Sequence, residues 1–414
     1  MTTGTLIVGA SQAGLQLAVS LRALGDTAPI TLVGAEAHPP YQRPPLSKDY
    51  LTGTADVESL ALRSPAFYAD QGIDLVCGER VTDLSLRPDG AGAGRTSGGR
   101  DLRFDRLALT TGAAPRRLDL PGADLDGVCY LRDLDDAQRL RAHLAGARRV
   151  VVVGGGFVGL ETAAVARARG LDVTVVEVAD RLIARAVAPV MSAFFKEAHE
   201  RRGTRVILGC GVAAFRGEGG RVTGAVLSDG RELPADVVMV GVGIVPRTEL
   251  AEQLGLECDG GIVVDRYART SEPRVVAAGD CTVLPHPMTG EGRVRLESVN
   301  NAVTQATTAA ASLTGRLEAT PNVPWFWSNQ GDLRLQIAGL AVGFDDYVVR
   351  GEPGSERFSV LYYRDGQLLA ADAVNTPGDY MAVRKALSMG QTIPPELAAD
   401  AGTPLKRLLS PVAA

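Results

Sequence analysis

The stretch Val151–Glu177, VVVGGGFVGLETAAVARARGLDVTVVE, decides the fold of this 414-residue chain. Its opening valines are typical of a buried parallel strand, and Gly154, Gly156 and Gly159 complete a GxGxxG pattern. The glycines permit a tight turn and a close approach to a pyrophosphate, which the N-terminus of the following helix would attract. A second strand ends on Glu177, whose carboxylate suits ribose hydroxyls and would repel a 2′-phosphate. The stretch therefore predicts a dinucleotide site that favours NADH.

The beginning of the chain repeats this layout 145 residues earlier. Thr5–Val8 predicts a strand, Gly9 to Gly14 the turn, and a helix and a second strand follow at 15–24 and 30–33. This copy is imperfect, because Ser11 replaces the middle glycine and the acid, Glu36, lies beyond the end of its strand. Serine is small and can donate a hydrogen bond to a phosphate, so we expect a second nucleotide here.

Both copies continue in the same way. Short strands at 74–76, 81–86 and 102–109 follow the first copy, and strands at 206–208 and 237–243 with a hairpin at 222–233 follow the second. The Gly-, Ala- and Arg-rich segment 87–99 is expected to be a solvated hairpin tip. We therefore predict an internal duplication, each copy a parallel sheet with a short antiparallel meander on one face.

Two segments stand outside this repeat. His38–Lys48, HPPYQRPPLSK, has four prolines in eight residues and predicts a stiff extended loop without helix, followed by a short helix through Leu51. This loop either positions Arg43 and Lys48 near an anionic or electron-rich ligand, or is an ordinary surface loop. From residue 323 onward, alternating strands and a helix from Tyr380, capped by the preceding aspartate, predict a separate α+β unit.

Composition narrows the class of protein. A hydrophobic fraction of 45% in 414 residues fits a globular protein of two or three domains. The net charge of −5 argues against nucleic-acid binding, and no apolar run reaches the roughly 18 residues that span a bilayer. Because a strand begins almost at the first residue, we expect no leader peptide and a cytoplasmic protein. The five cysteines are isolated, without a CxxC pair, so neither a local redox disulfide nor a metal site is expected.

These pieces, in this order, resemble the FAD-dependent NADH:ferredoxin reductases of bacterial oxygenase systems, of the putidaredoxin reductase and rhodocoxin reductase type. The resemblance covers essentially the whole chain, and its most specific segments are PYQRPPLSKDYL, TTGAAPR, GGGFVGLE, TSEPRVVAAGD, LESVNNA and VPWFWSNQGDLRLQIAGL. It implies an α/β, glutathione-reductase-like flavoprotein with two Rossmann-like domains and a C-terminal α+β domain. The implied boundaries are 1–114 with 245–322 for FAD, 115–244 for NAD, and 323–414 for the last domain.

The resemblance also implies site residues. Those expected around FAD are Gly9, Ser11, Ala13, Gly14, Glu36, Arg43, Pro45, Lys48, Val81, Thr111, Gly112, Arg116, Asp280, Val299 and Trp327. Those expected around NADH are Gly154, Gly156, Phe157, Val158, Glu161, Glu177, Arg185 and Gly243. Lys48 would lie near the flavin, Glu161 near the nicotinamide, and the two are expected to pair and to take the catalytic roles.

The activity implied is hydride transfer from NADH to FAD, followed by single-electron transfer to a [2Fe–2S] ferredoxin that serves a monooxygenase or dioxygenase. Lys48 would stabilise the reduced flavin electrostatically. The resemblance leaves the ferredoxin unidentified, and we expect a monomer or weak homodimer. The chain departs from the family pattern at Ser11, at Arg247 and at Asn329, where the family often has glycine, asparagine and aspartate.

Three other classes share parts of this plan. Disulfide reductases need a cysteine pair in the first helix, and residues 15–24 contain none. An NADH oxidase or peroxidase would need a reactive cysteine near residue 40, and 43–48 offers none. A flavin redox sensor, like the apoptosis-inducing factors, would predict an added targeting segment or a basic surface, so it stays an alternative without support.

Overall fold

The structure, a computed structural model, describes residues 3–320 and 322–409. Its strands, in chain order, are β1 (Thr5–Val8), β2 (Ile30–Val33), β3 (Ile73–Val76), β4 (Val81–Leu86), β5 (Gly92–Thr96), β6 (Asp101–Phe104), β7 (Arg106–Leu109), β8 (Ala113–Pro115), β9 (Val128–Cys129), β10 (Arg149–Val153), β11 (Asp172–Val176), β12 (Arg205–Ile207), β13 (Val212–Glu218), β14 (Arg221–Leu227), β15 (Glu232–Pro234), β16 (Val237–Val240), β17 (Ile244–Pro246), β18 (Ile262–Val263), β19 (Val275–Ala277), β20 (Thr282–Pro285), β21 (Arg293–Val294), β22 (Trp325–Gln330), β23 (Leu333–Gly339), β24 (Asp346–Glu352), β25 (Arg357–Arg364) and β26 (Gln367–Val374).

The α-helices are α1 (Gln12–Ala23), α2 (Asp49–Thr52), α3 (Val57–Leu60), α4 (Pro65–Asp70), α5 (Leu134–Gly146), α6 (Phe157–Ala168), α7 (Pro189–Arg201), α8 (Glu249–Gln253), α9 (Val299–Leu313), α10 (Pro377–Ser388) and α11 (Pro395–Ala398). Short 3₁₀ helices lie at Pro44–Ser47, Pro353–Ser355 and Leu405–Leu408.

The residues cluster into two compact units. Unit 1 comprises residues 1–42, 57–114 and 245–324, and unit 2 comprises 43–56, 115–244 and 325–414. The division into three domains stays a prediction.

Unit 1 is built on a parallel sheet of order β19-β7-β1-β2-β3. Its central strand β1 is buried throughout, because helices cover a parallel sheet on its faces. Small residues of α1 and α9, among them Ala18 and Ala306, are fully buried in the same core cluster and allow the two helices to pack closely. An antiparallel meander of β4, β5 and β6 completes the predicted layout of the first copy.

Unit 2 contains the second copy, a parallel sheet of order β12-β11-β10-β16-β9 with a β13-β14-β15 meander. The last ninety residues add an antiparallel sheet of order β22-β23-β26-β25-β24. One face of this sheet packs on α10 through buried side chains such as Tyr363 and Val383. Its other face contributes Phe358 and Tyr362 to the cluster that also holds α6 and α7. The predicted fold of duplicated parallel sheets and an added α+β part is confirmed.

Three local predictions were wrong. The segment 87–99 is not only a hairpin tip, because β5 inside it is the central strand of a meander. A Cβ at Gly92 would lie 2.2 Å from Ser85 O and 2.5 Å from the Phe104 ring, so glycine here serves close strand packing. The proline loop contains a 3₁₀ turn, because proline is tolerated in the first turn of a helix. Helix α10 begins at Pro377, three residues before the predicted start, for the same reason.

Candidate functional site

In unit 1, the carboxyl end of β1 leads into a turn that only glycine can make. Gly9 has a φ of +118°, and a Cβ there would lie 2.1 Å from Thr110 O. Gly14, in the first turn of α1, would place a Cβ 2.0 Å from Gly9 O, so its lack of a side chain lets the helix contact the strand end. Ser11 is the N-cap of α1, and Ala13 is buried behind it. The arrangement leaves the amides of the first turn of α1 at the place where a phosphate would bind.

Glu36 lies three residues beyond the end of β2, so the displaced acid still reaches the same edge of the sheet. Its Oε2 accepts a hydrogen bond from the buried Tyr41 hydroxyl at 2.5 Å. Its backbone carbonyl accepts from Gly78 N at 2.7 Å, which ties the segment to the residues after β3. Val81, at the start of β4, is buried.

The remaining predicted residues of unit 1 follow the ends of β7 and β19. Thr111 donates from Oγ1 to Arg247 O at 2.7 Å, and Gly112 has a φ of +65°. Asp280 follows Gly279, where a Cβ would lie 3.3 Å from that of Ala13 and 4.0 Å from that of Ala302 in α9.

Val299 is the first residue of α9, one turn before Ala302. The carboxyl edge of this sheet therefore brings together the glycine turn, Glu36, Thr111, Asp280 and Val299.

Gln305 of α9 is a functional candidate that the sequence did not reveal. Its Oε1 accepts from Gly279 N at 2.9 Å and from Thr282 Oγ1 at 2.9 Å, so it fixes the turn that carries Asp280. Its buried Nε2 has no hydrogen-bond partner within residues 3–320 and 322–409. A buried amide donor beside this turn is a group that a bound ligand can satisfy.

The glycine turn of unit 2 repeats this geometry with all three glycines. Gly154 has a φ of +109°, and a Cβ would lie 2.3 Å from Gly241 O; at Gly159 it would lie 2.2 Å from Gly154 O. At Gly156 a Cβ would meet nothing within 4 Å, so the middle position opens to the space where a pyrophosphate would lie. The side chain of Val158, in the first turn of α6, is 41% exposed and gives this mouth an apolar surface.

Glu177 directly follows β11 and holds the glycine turn from the neighbouring strand. Its Oε2 accepts from Gly155 N at 2.6 Å and its Oε1 from Ala179 N at 2.8 Å. Arg185 lies at the opposite loop, where a Cβ on Gly243 would be 3.4 Å from Arg185 Nη2. Gly243 O accepts from Arg116 N at 2.9 Å. The carboxylate, Arg185 and Gly243 surround the carboxyl edge of the second sheet.

Lys48 and Glu161 form a close ion pair within unit 2. The distance from Lys48 Nζ to Glu161 Oε2 is 2.6 Å, with the two side chains 14% and 3% exposed. Lys48 follows the 3₁₀ turn that contains Pro45, whose carbonyl accepts from Lys48 N at 2.9 Å. Arg43, at the start of this turn, donates from Nη1 to Arg132 O at 2.8 Å.

Aromatic rings surround the neighbouring strand β22. Trp327 stacks on Trp325 with ring centroids 5.5 Å apart, and Phe157 of α6 lies 4.7 Å from Phe326.

The comparisons identify the family. The pyridine nucleotide-disulphide oxidoreductase family matches residues 3–306, and the reductase C-terminal family matches residues 325–409. The chain belongs to the pyridine nucleotide-disulphide oxidoreductase family. Rhodocoxin reductase of Rhodococcus erythropolis is 46% identical over 97% of this chain and 93% of its own length. A ferredoxin reductase structure from Rhodopseudomonas palustris superimposes with a TM-score of 0.94 at 43% identity, covering 99% of this chain and 100% of that one. The covalent putidaredoxin reductase–putidaredoxin complex gives a TM-score of 0.94 at 38% identity, covering 98% and 97%.

Although the family is named for disulphide chemistry, all five cysteines of this member are free. Burial raises the pKa of the Cys129 thiol to about 12 and raises the pKa values of Cys77, Cys258 and Cys281. A thiol with a raised pKa is a poor nucleophile. These four positions therefore lack the thiolate that disulfide chemistry needs.

Metal ligands and membrane spans are described here for residues 3–320 and 322–409. No group of three or more His, Cys, Asp or Glu side chains there is arranged to hold a metal ion. None of the helices there is long and apolar enough to cross a membrane.

Sequence reasoning missed the two serines that contact Glu161. Ser47 and Ser328 donate to its two oxygens, at 2.5 Å and 2.7 Å respectively. The sequence shows only that Ser328 and Gln330 lie two residues apart; the structure places both on the buried face of β22. Two polar residues on the buried face of a strand indicate a hydrogen-bonded partner inside the fold.

Proposed function

We propose that this chain takes a hydride from NADH onto FAD and passes the electrons singly to a [2Fe–2S] ferredoxin that serves a monooxygenase or dioxygenase. Membership of the family and nearly full-length similarity to ferredoxin reductases support the coarser statement: the chain is an FAD- and NADH-dependent ferredoxin reductase. The type of iron–sulfur centre, the oligomeric state (a monomer or weak homodimer) and a cytoplasmic location are finer parts of the proposal.

The observation that carries the proposal is that one chain contains two glycine turns at carboxyl edges of parallel sheets. Both have a first glycine with positive φ and a last glycine whose Cβ would collide with the first. FAD, when bound, would accept one hydride with its two electrons and release these electrons one at a time, which no side chain of the protein can do. The chain's own task is to bind the two nucleotides and hold them in position.

The residues of unit 1 fit FAD. The first-turn amides of α1 suit a pyrophosphate, and the carboxylates of Glu36 and Asp280 suit the hydroxyls of a ribose and of a polyol. Gln305 adds a buried donor at the same edge, beside Gly279. Ser11 in place of glycine adds a hydroxyl where the phosphates would lie, so we propose that it contributes a hydrogen bond.

The residues of unit 2 fit NADH. The open space at Gly156 suits the pyrophosphate, and Glu177 at the end of β11 suits the ribose hydroxyls. The carboxylate already accepts two backbone N–H bonds, and each of its oxygens has a second lone pair for a hydroxyl. In the proposed function Lys48 supplies a fixed positive charge that stabilises the electron-rich form of the cofactor, and Glu161 holds Lys48 in place.

Neither alternative has support from the structure. An NADH oxidase or peroxidase of the cysteine type needs a low-pKa thiol, whereas burial raises the pKa values of four of the five cysteines. A flavin redox sensor, like the apoptosis-inducing factors, would share the nucleotide sites, but no feature of the described chain favours signalling over electron transfer.

The test is NADH-dependent reduction of cytochrome c by the purified yellow protein, with and without candidate [2Fe–2S] ferredoxins. The proposal expects turnover that depends strongly on the ferredoxin and is lost with the same ferredoxin stripped of its cluster. Rapid NADH oxidation that yields peroxide and ignores every ferredoxin would instead favour the oxidase. Sedimentation velocity of the same preparation tests the oligomeric state, and cell fractionation tests the location.

A further inference from the structure

We propose that Ser328, supported by Gln330 and His199, is a positioning residue that sets the orientation of the Glu161 carboxylate and, through it, of Lys48. The inference rests on the proposed role of Lys48 toward the flavin and extends it to a part of the chain that carries no predicted site residue except Trp327.

The Glu161 carboxylate needs fixed partners because its side chain is 3% exposed. Oε2 accepts from Lys48 Nζ at 2.6 Å and from Ser47 Oγ at 2.5 Å. Oε1 accepts from Ser328 Oγ at 2.7 Å. A buried carboxylate needs donors for its oxygens, and the two serines and the lysine together supply them.

The hydrogen bonds extend from Ser328 to the end of helix α7. Gln330 Nε2 donates to Ser328 Oγ at 3.3 Å, and His199 Nε2 lies 2.8 Å from Gln330 Oε1. Burial lowers the pKa of His199, so its ring is neutral. Because the amide oxygen of Gln330 can only accept, the Nε2 atom of His199 carries the proton. Every donor therefore points toward Glu161, and the chain has one polarity from His199 to the carboxylate.

This polarity matters because the two oxygens of Glu161 have different tasks. Oε2 holds Lys48, whereas Oε1 is held by Ser328. Without the Ser328 hydroxyl, the carboxylate is free to turn about its last side-chain bond, a broad and soft torsion. Such a turn moves Oε2 and the ammonium bound to it. Catalysis by a positioned charge is sensitive to shifts of about 1 Å, so the loss should reach the reaction.

The chain offers a direct readout of Lys48 because it contains only four lysines, at positions 48, 196, 385 and 406. The Lys48 side chain is 14% exposed, whereas Lys196 is 37% exposed and the other two are exposed. Pulse acetylation of the FAD-loaded protein, followed by peptide mass spectrometry, measures the reactivity of Lys48 with three internal references.

The test compares Ser328→Ala with wild type and with Ser359→Ala. Ser359 is a matched control, because it is also fully buried in the same sheet but bonds to Thr376 and Asp379. S328A should raise Lys48 acetylation and slow anaerobic flavin reduction by NADH. We expect a roughly tenfold slower reduction, because one hydrogen bond to a charged group is lost. S359A should change neither.

Three further measurements isolate the route through Lys48. In a Lys48→Met background, S328A should slow flavin reduction no further, because its effect passes through the missing ammonium. Ser328→Thr, which keeps a hydroxyl, should restore most of the rate. Gln330→Leu should raise acetylation less than S328A does.

Clear results would overturn the proposal. If S328A matches the wild type in Lys48 acetylation and in the rate of flavin reduction, Ser328 is only structural. The same conclusion follows if S328A slows flavin reduction as much in the K48M background as it does in the wild type. If Q330L has the Lys48 acetylation of the wild type, Gln330 and His199 do not support Ser328. If instead no ferredoxin is reduced by wild type, the proposed function fails, but the acetylation and flavin-reduction results still decide this inference.

Discussion

Glu177 provides the most demanding prediction, because the structure shows what would and would not replace it. Arg181 and Arg185 follow Glu177 in the sequence and are candidates for binding the 2′-phosphate of NADPH. In the structure the Arg181 guanidinium donates to Val187 O, Ala184 O and Ser192 Oγ at 2.5–3.0 Å. Arg181 therefore holds its own loop, and of these two arginines Arg185 remains as the candidate for the phosphate.

The magnitude follows from the bonds lost. A hydrogen bond from a ribose hydroxyl to a charged carboxylate is worth about 1.5–3 kcal/mol. Glu177→Ala should therefore lower kcat/KM for NADH roughly 10- to 100-fold. Removing the negative charge also relieves the repulsion of a 2′-phosphate. Since Arg181 stays bound to its loop, we expect kcat/KM for NADPH to rise less than about tenfold, well short of the wild-type value with NADH.

The assay is steady-state reduction of a ferredoxin with each coenzyme. Glu177→Gln is the companion variant, because it keeps an acceptor for one of the two backbone N–H bonds. Asp180→Asn removes an exposed acid three residues away and should leave the coenzyme preference unchanged. A Glu177→Ala enzyme that uses NADPH as well as the wild type uses NADH would refute the reasoning, since it would mean that a cation is free to bind the phosphate.

Three predictions concern stability. Burial raises the pKa of Asp372 to about 7, so the folded state binds its proton more tightly than the unfolded state does. The stability that this proton contributes is lost as the pH rises from about 4 to 7, and Asp372→Asn should reduce that loss by up to ~4 kcal/mol. Urea titrations at the two pH values measure the free energy of unfolding, and an equal loss in the variant and the wild type would contradict the prediction. Arg350 is buried and donates to the carbonyls of Ala398, Asp400, Ala401 and Thr403, so Arg350→Ala should cost about 3 kcal/mol and expose the segment after α11 to limited proteolysis; unchanged proteolysis would contradict the role. Gly92→Ala should cost about 1–3 kcal/mol through its clash with Phe104, whereas Gly146→Ala, with nothing within 4 Å, should not destabilise; equal melting temperatures for the two variants would refute the clash.

The sequence predicted the parts of the fold that depend on local pattern. Valine runs, glycine spacing and the acid at Glu177 gave both parallel sheets and both nucleotide turns, because these features act within about thirty residues. The family, fold class, enzyme class and cofactors are confirmed. The roles of individual site residues and the domain boundaries stay predictions.

Other features depend on partners far apart in sequence and could not be found in this way. Four of the five residues of strand β5 are glycine, alanine or arginine, whereas a strand pattern expects β-branched residues. The close packing of Gly92 on Phe104 explains the glycine at that position. The contact of Ser328 with Glu161 joins residues 167 positions apart. The hydrogen bonds of Arg181 to its own loop depend on the rotamer of its side chain and on the direction of the loop carbonyls, which the sequence pattern does not show.

The stoichiometry of electron delivery decides whether this chain is a ferredoxin reductase that divides a hydride into single electrons. The FAD-loaded protein is mixed anaerobically with limiting NADH and an excess of an oxidised [2Fe–2S] ferredoxin, and the loss of ferredoxin absorbance is counted against NADH consumed. We expect two ferredoxin molecules to be reduced per NADH, because a hydride carries two electrons and each cluster takes one. Ferredoxin that stays oxidised while NADH is consumed would contradict it.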